Sequence, residues 1–458
     1  MDILLTHGYF LAEDQAERRI MKPYPPLGIL YISAYLKSKG FAVGVFDSTF
    51  ASEDTFRTTI ETVRPSVVGI YVNLMTRQNA LRLMAYCKSK GCVVVVGGPE
   101  VGFHAEQFIG HGADVAVIGE GEKTLEHLLP VLAGRDRTAL REIHGIAYLD
   151  DQGVIRYNPP QSLIPDLDLL PLPDREAIDM HRYVRTWREA HGRGSVSLLC
   201  ARGCPFTCTW CSRSVFGETH RRRTPARVVD EIELIMAEYK PDQLWFADDV
   251  FTIQHRWFHD FYAEMKRRNL SIPFECISRA DRLNEEILMK MREIGSFRIW
   301  YGSESGSQRI LDAMKRHVTV DQIRTVTRLA RKHGIESGLF VMLGYPGEEI
   351  TDIDATIDHL VETNPDAYLT TIAYPIKGTE FYHEVENSLR PNGAWDQTTD
   401  RSLDFTGRHS RRFYWFATRH VTHEVNCRRP GHPMRRLVSF SKSKIARLGM
   451  KLTLGEKS

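Results

Sequence analysis

Eleven short apolar runs separated by amphipathic stretches constrain this chain more than any other feature. Five lie in residues 1–135: Ile3 to Thr6, Phe41 to Phe46, Val67 to Val72, Val93 to Val96 and Val115 to Ile118. Between them Leu27, Leu30, Tyr31 and Ala34 mark one helical face, and Leu81, Leu83, Met84 and Cys87 mark another. Six more follow from Ser195: Val196 to Cys200, Gln243 to Ala247, Phe274 to Ser278, Arg298 to Tyr301, Gly338 to Leu343 and Tyr368 to Ala373. Strands that are apolar on both faces belong in a parallel sheet covered by helices. Each series therefore predicts an α/β domain whose sites lie beyond the carboxyl ends of its strands. The boundaries expected are 1–135, a linker with a small hairpin over 136–190, a second core over 191–385, and an extension over 386–458. The hairpin is read from Ile146-Ala147-Tyr148 and the polar turn Asp150 to Gly153, among the prolines 159, 160, 171 and 173.

Eight cysteines in 458 residues are too few for a disulfide scaffold, yet four of them fall in the twelve residues 200–211. Such clustering points to metal. The run Cys200-Ala201-Arg202-Gly203-Cys204-Pro205-Phe206-Thr207-Cys208-Thr209-Trp210-Cys211 follows directly on the first strand of the second series, so its loop hangs over the end where a site belongs. A formal net charge of +2 gives no ground for a nucleic-acid partner. Met1 to Leu5 carries neither a basic leader nor a long apolar stretch, so the expected compartment is the cytoplasm.

Cys204, Cys208 and Cys211 have CxxxCxxC spacing with Trp210 before the last cysteine, and here the chain resembles the radical S-adenosylmethionine (SAM) superfamily. The resemblance implies that these three cysteines hold a 4Fe-4S cluster, are central to catalysis, and leave one iron open to SAM. An electron passed from the cluster would then yield a 5'-deoxyadenosyl radical. Phe206 and Trp210 in the loop, Asp248 in Phe246-Ala247-Asp248-Asp249, and Arg279 after the third strand are the first expected SAM contacts. Ser303 and Glu304 in Tyr301-Gly302-Ser303-Glu304-Ser305-Gly306, and Gly344 in Leu343-Gly344-Tyr345-Pro346-Gly347-Glu348, complete them. Other readings stand beside these. Cys200 could be a fourth ligand, of a saturated cluster or a zinc site, or a buried end-of-strand residue. Asp248 or Asp249 could be a helix N-cap, Glu348 a first-turn residue, and Arg279 a surface arginine.

A flavodoxin-like or Rossmann-like sheet before a partial (β/α)6 barrel is similar to the cobalamin-binding radical SAM subfamily. Pro25-Pro26-Leu27-Gly28, Gly97-Gly98-Pro99-Glu100 and Gly119-Glu120-Gly121-Glu122 match its pattern, and with Asn73 they make Gly28, Asn73, Gly98, Pro99, Glu120 and Gly121 the expected cobalamin contacts. The chain reads Asn73-Leu74-Met75-Thr76-Arg77 where a DxHxxG motif would supply a lower ligand to cobalt, so no histidine is available there. A fold relic that binds nothing, or another small ligand in the same crevice, is the competing reading, and His7 is read as structural.

The resemblance implies methylation of an unactivated carbon of a small molecule, which the basic, aromatic tail suggests is lipophilic, with methylcobalamin as donor and SAM restoring it. An electron donor such as a flavodoxin or ferredoxin is implied too. The runner-up is an oxidative cyclase or rearrangement enzyme, similar to the anaerobic magnesium-protoporphyrin ester cyclases. From another class comes a non-catalytic redox- or cobalamin-responsive protein. From Phe405 to Ser458 thirteen Lys or Arg stand against two acidic residues, around Phe413-Tyr414-Trp415-Phe416. That helical extension suggests either a solvated basic helix packed by its aromatic side or contact with a membrane surface.

Overall fold

The computed structural model describes every residue except 135, 136, 391, 392, 431, 455, 457 and 458. The chain divides into two compact units. One contains Met1–Pro205, Ser212–Trp245 and Gly393–Thr399; the other contains Phe206–Cys211, Phe246–Asn392 and Asp400–Ser458.

The first unit is built on β1 (Ile3–His7), β2 (Val43–Phe46), β3 (Val67–Tyr71), β4 (Val93–Gly97) and β5 (Val115–Val117), all parallel. After α1 (Gln15–Ile20), the helices are α2 (Leu27–Ser38), α3 (Glu53–Val63), α4 (Arg77–Ser89), α5 (Val101–Gly110) and α6 (Gly121–Gly134). Successive strand residues point to opposite faces, and both faces are covered. Val68, Ile70, Val94 and Val96 pack with Phe56, Leu83, Met84 and Phe108 of α3, α4 and α5. Their neighbours Val67 and Val95 pack with Ile29, Leu36, Leu125 and Leu128 of α2 and α6. This two-sided burial explains why the strands read as continuous apolar runs.

The hairpin expected in the linker exists as β6 (Ile146–Leu149) and β7 (Ile155–Tyr157), but it does not stand apart. It pairs antiparallel with β5, Val115 opposite Tyr148, and extends the sheet to the order β2-β1-β3-β4-β5-β6-β7. A free edge at β5 would expose unpaired backbone groups, and the hairpin covers it. This unit then runs through α7 (Met180–His191), β8 (Ser195–Leu198), β9 (Ala201–Arg202), β10 (Arg221–Arg222), α8 (Pro225–Glu238) and β11 (Gln243–Phe246), whose last residue belongs to the second unit.

The second unit contains β12 (Phe274–Ser278), β13 (Ser296–Glu304), β14 (Glu336–Leu343) and β15 (Ala367–Ile372), parallel in the order β15-β14-β13-β12. Alternating with them are α9 (His255–Arg267), α10 (Glu285–Glu293), α11 (Gln308–Ala313), α12 (Val320–Lys332), α13 (Ile350–Thr363) and α14 (Glu380–Val385). All six strands expected from Ser195 onward are present, each followed by a helix. Two long helices, α15 (Arg411–Arg428) and α16 (Pro433–Thr453), form the extension. Among the described residues no helix is long and apolar enough to cross a membrane.

Candidate functional site

In the first unit, the segment leading into the cysteine loop is gripped at its base. β9 and β10 pair antiparallel, Arg202 opposite Arg221. Gly203, at φ 85°, lies so close to Thr219 that a Cβ would fall 2.3 Å from its carbonyl oxygen, so a turn of this shape requires glycine. Arg202 is buried and forks between two carboxylates, Glu120 at 2.8 Å and Glu122 at 2.5 Å. Burial works against its charge, but Glu122 and Glu120 outweigh this and raise its pKa. Arg221 adds a second cation to Glu120 at 2.9 Å. Cys200 is fully buried, and its carbonyl accepts the Arg223 N–H, as expected of an end-of-strand residue.

Glu120 was expected to face cobalamin, and the structure corrects this for its side chain. The carboxylate is taken by Arg202, Arg221 and the Ile164 N–H. A buried carboxylate is stable only when its oxygens are paired, and these pairs are supplied from within the unit. The other expected contacts lie on the carboxyl-end loops. Gly28 and Gly98 both approach the Tyr71 ring, where a Cβ would stand 3.8 and 2.9 Å from it. Gly98 is at φ 109° and faces the Val72 carbonyl at a distance no side chain allows. Asn73 holds its own turn by accepting the Met75 and Thr76 N–H groups. The Pro99 carbonyl accepts from Ser214, and Gly121 opens α6 against Ile32. His7 has its ring nitrogens engaged by Asp47 and Ser48, which fits the structural reading. These loops present glycine backbone rather than bulky side chains, and in the 73–77 loop Met75 is exposed and Asn73 and Leu74 partly so, while Thr76 and Arg77 are buried. The residues thus fit a flat macrocycle that approaches backbone, with no imidazole from the 73–77 loop.

In the second unit, Cys208 sits between two cations. Arg316 Nη1 is 3.5 Å and Arg279 Nη1 is 3.7 Å from its Sγ. A hydrogen bond from the Cys211 thiol, followed by Arg316 and Arg279, holds the Cys208 pKa down to about 5 against the opposing effect of burial. Cys211 keeps the shared proton and is pushed up. Arg279 was read as either a site residue or a surface arginine, and at 1% exposure the surface reading is overturned. Its Nε pairs with Asp281 at 2.8 Å, and its guanidinium stacks 3.7 Å over Phe206. Trp210 lies 5.9 Å from the Arg316 guanidinium. Thr209 bonds the Tyr345 hydroxyl at 2.7 Å and anchors the loop on the β14–α13 turn.

Arg316 carried no signal in the sequence. It is positioned by a turn with left-handed residues on both sides, Lys315 at φ 49° and His317 at φ 52°. Its Nη2 donates to the Gly302 carbonyl at 3.3 Å, and its Nε lies 3.9 Å from Glu304. Glu304 itself is left-handed at φ 54°, where β13 carries a register shift between Gly302 and Glu304. Strained backbone beside a bulge re-aims a side chain, and it persists only where packing holds it. Burial pushes the Glu304 carboxyl up to about 7, opposed by Arg316.

Three expectations change in this unit. Ser303 does not present a free hydroxyl, because it bonds His359 Nε2 at 2.9 Å on α13. Neither Asp248 nor Asp249 caps α9, whose N-cap is Gln254; Asp248 is fully buried. Glu348 precedes α13 and accepts the Gly344 N–H at 2.6 Å, fixing the turn that makes Gly344 left-handed at φ 82°. A Cβ on Gly344 would meet the Tyr414 ring at 3.0 Å. Burial pushes Glu348 up to about 8. The structure thus gathers Phe206, Cys208, Trp210, Arg279 and Glu304 around Arg316, while Ser303 turns to α13. A set of thiols, one held as thiolate by its neighbour Cys211 and two buried cations, fits an iron–sulfur cluster, whose ligands are thiolates and whose charge those cations would offset.

Comparison with known proteins is in keeping with this geometry. Residues 198–360 match the Radical SAM superfamily, and residues 19–129 match the B12 binding domain. The chain is 29% identical to an uncharacterized methyltransferase of Pyrococcus horikoshii, over 84% of each chain. It is 27% identical to the anaerobic magnesium-protoporphyrin IX monomethyl ester cyclase of Rubrivivax gelatinosus, over 80% of this chain and 67% of the cyclase. Among solved structures it shares the fold of the radical SAM methyltransferase TsrM from Kitasatospora setae, solved with cobalamin and a [4Fe-4S] cluster. The TM-score is 0.71 at 19% identity, covering 86% of this chain and 77% of that one.

Proposed function

Because the chain carries a radical SAM domain after a B12-binding domain, we propose that it is a cobalamin-dependent enzyme that methylates an unactivated carbon of a small molecule, with Cys204, Cys208 and Cys211 as ligands of a 4Fe-4S cluster. The observation that carries the assignment is the Cys208 sulfur lying 3.5 Å from the Arg316 and 3.7 Å from the Arg279 guanidinium, two buried cations beside a cysteine pair. With its cofactors bound, such a site gains one-electron cleavage of SAM from the cluster and a transferable methyl group from cobalamin.

The residues of this chain supply placement. The hydrogen bond from the Cys211 thiol, helped by Arg316 and Arg279, keeps Cys208 ionised at neutral pH, ready to ligate. Phe206, stacked on Arg279, and Trp210 beside Arg316 shield these cations from water and so strengthen their hold on the thiolate. Glu304, half protonated near neutral pH, can accept from an ammonium or donate to a carboxylate, as SAM's amino-acid end requires. Gly344 offers backbone, its N–H fixed by Glu348, and Asp248 lies buried at the end of β11. On the other unit the loops with exposed Gly28, half-buried Asn73, Gly98 and Pro99, and buried Gly121 would face cobalamin through backbone. A small redox protein such as flavodoxin or ferredoxin would deliver the electron.

Anaerobically reconstituted protein given dithionite, cobalamin and SAM is expected to form S-adenosylhomocysteine only when cobalamin is present, and 5'-deoxyadenosine only when iron is loaded. Absence of S-adenosylhomocysteine with both cofactors bound would overturn the methyltransferase reading. The similarity to the cyclase favours one alternative, an oxidative cyclisation. Product mass separates the two, since methylation adds a carbon and cyclisation removes hydrogens.

A further inference from the structure

We propose that α16 is a docking helix for the surface of an anionic lipid membrane. One side of it is already committed. Ser443, Ala446, Gly449, Met450 and Thr453 are buried, and Gly449 lies so close to Phe416 of α15 that a Cβ would fall 2.4 Å from the ring. Ser443 bonds Glu424 and His420, and Arg447 pairs with Asp354 at 2.6 Å. This seam fixes how the helix is turned.

Most of the opposite side is apolar and bare. Met434, Leu437, Val438, Ile445, Leu448 and Leu452 are each between 50% and 74% exposed. At 3.6 residues per turn they fall within an arc of about 100°, roughly opposite the seam, along a helix about 30 Å long. A continuous apolar stripe of this kind marks an interaction surface rather than scattered exposed leucines.

Charge decides the partner. Within 433–453 there are six Lys or Arg and no acidic residue. On the same helical projection Lys444 and Lys451 border one edge of the stripe, while Arg435 and Lys442 project on the seam's side of the helix yet remain exposed. None of these four has an acidic partner among the described residues, and all are exposed. An apolar stripe with a basic border, on a helix without acidic residues, fits a helix lying flat at a bilayer surface, its leucines among the acyl chains and its lysines at the headgroups. Each basic residue near an anionic surface contributes roughly fivefold in affinity.

The test is flotation of the full chain with vesicles of phosphatidylcholine alone, and with about one quarter phosphatidylglycerol added. Binding is expected only to the anionic vesicles, and to weaken with salt. The variant Ile445→Ser, Leu448→Ser, Leu452→Ser should bind at least ~10-fold more weakly while keeping the parent's circular dichroism, melting temperature and iron loading, because the three side chains touch solvent and not the core. Three outcomes would overturn the proposal: a parent chain that ignores anionic vesicles, a triple variant that floats as well as the parent, or a parent dimer that the variant makes monomeric without any vesicle binding. The last would assign the stripe to a second copy of the chain. Iron loading reports separately on the cluster, so a defect there leaves this surface untouched.

Discussion

Two buried clusters of charge, one in each unit, differ in whether they are complete. In the first, Arg202 and Arg221 meet Glu120 and Glu122 at 2.5 to 2.9 Å, cation for anion. In the second, Arg279 has Asp281, but Arg316 reaches Glu304 only at 3.9 Å and turns instead to a thiolate. A closed network of short pairs is a tie that holds backbone in place. A network whose cations face thiols, and whose carboxyl sits near neutrality, is arranged around something still to be bound. The same physics of burial therefore yields a fastener in one place and a receptor in the other.

The strongest way to break this contrast is to remove the thiolate. Cys208→Ser should abolish iron loading and SAM cleavage while leaving the melting temperature of the iron-free chain within a few degrees, as iron content and calorimetry would show. Retained iron would mean that Cys208 is not a ligand.

The fastener should fail differently. Arg202→Met leaves Glu122 and half of Glu120 unpaired and should cost about 3–5 kcal/mol of stability in chemical denaturation. Adding Glu122→Gln should return part of that loss. A cost within error of zero would refute the structural role.

A gentler probe sharpens the receptor side. Arg316→Met removes the nearer cation from Cys208 but leaves the Cys211 hydrogen bond and Arg279, so the pH midpoint for alkylation of Cys208 in the iron-free chain should rise part of the way from about 5. The rate at pH 7, followed by mass spectrometry at that residue, should fall by about twofold once the midpoint reaches 7. An unmoved midpoint would show that Arg316 does not set the thiolate.

The smallest expected effect concerns Glu348. Its folded pKa, about 8, lies above the ordinary 4.5, so the folded chain binds more protons than the unfolded one. Its contribution to stability is full below pH 4.5 and is lost as pH rises through about 8. Glu348→Gln should flatten stability over that window and keep the contact to the Gly344 N–H. Parallel pH profiles for the parent and the variant would contradict this.

The cysteine run was legible because its spacing is itself the chemistry, and the strand series because parallel strands buried on both faces read as unbroken apolar runs. Side-chain aim was not. Glu120 looked like a ligand contact from its place after β5, but only folding brings Arg202 and Arg221 to it. Ser303 sits in the expected motif, yet its hydroxyl is taken by His359, fifty-six residues away. Arg316 went unread because two left-handed neighbours swing it toward Cys208, and no local pattern announces that turn. The hairpin over 146–157 was visible as a hairpin, while its place on the edge of β5 depended on which strand was left unpaired.

The most direct test of the central claim, a cluster with an iron open to SAM, is an anaerobic electron paramagnetic resonance spectrum of the reconstituted, reduced protein with and without SAM. A reduced-cluster signal that changes on adding SAM is expected, in the parent and equally in Cys200→Ala. A cluster signal indifferent to SAM would contradict it, and a signal that responds only after Cys200→Ala would identify Cys200 as the ligand that closes the site.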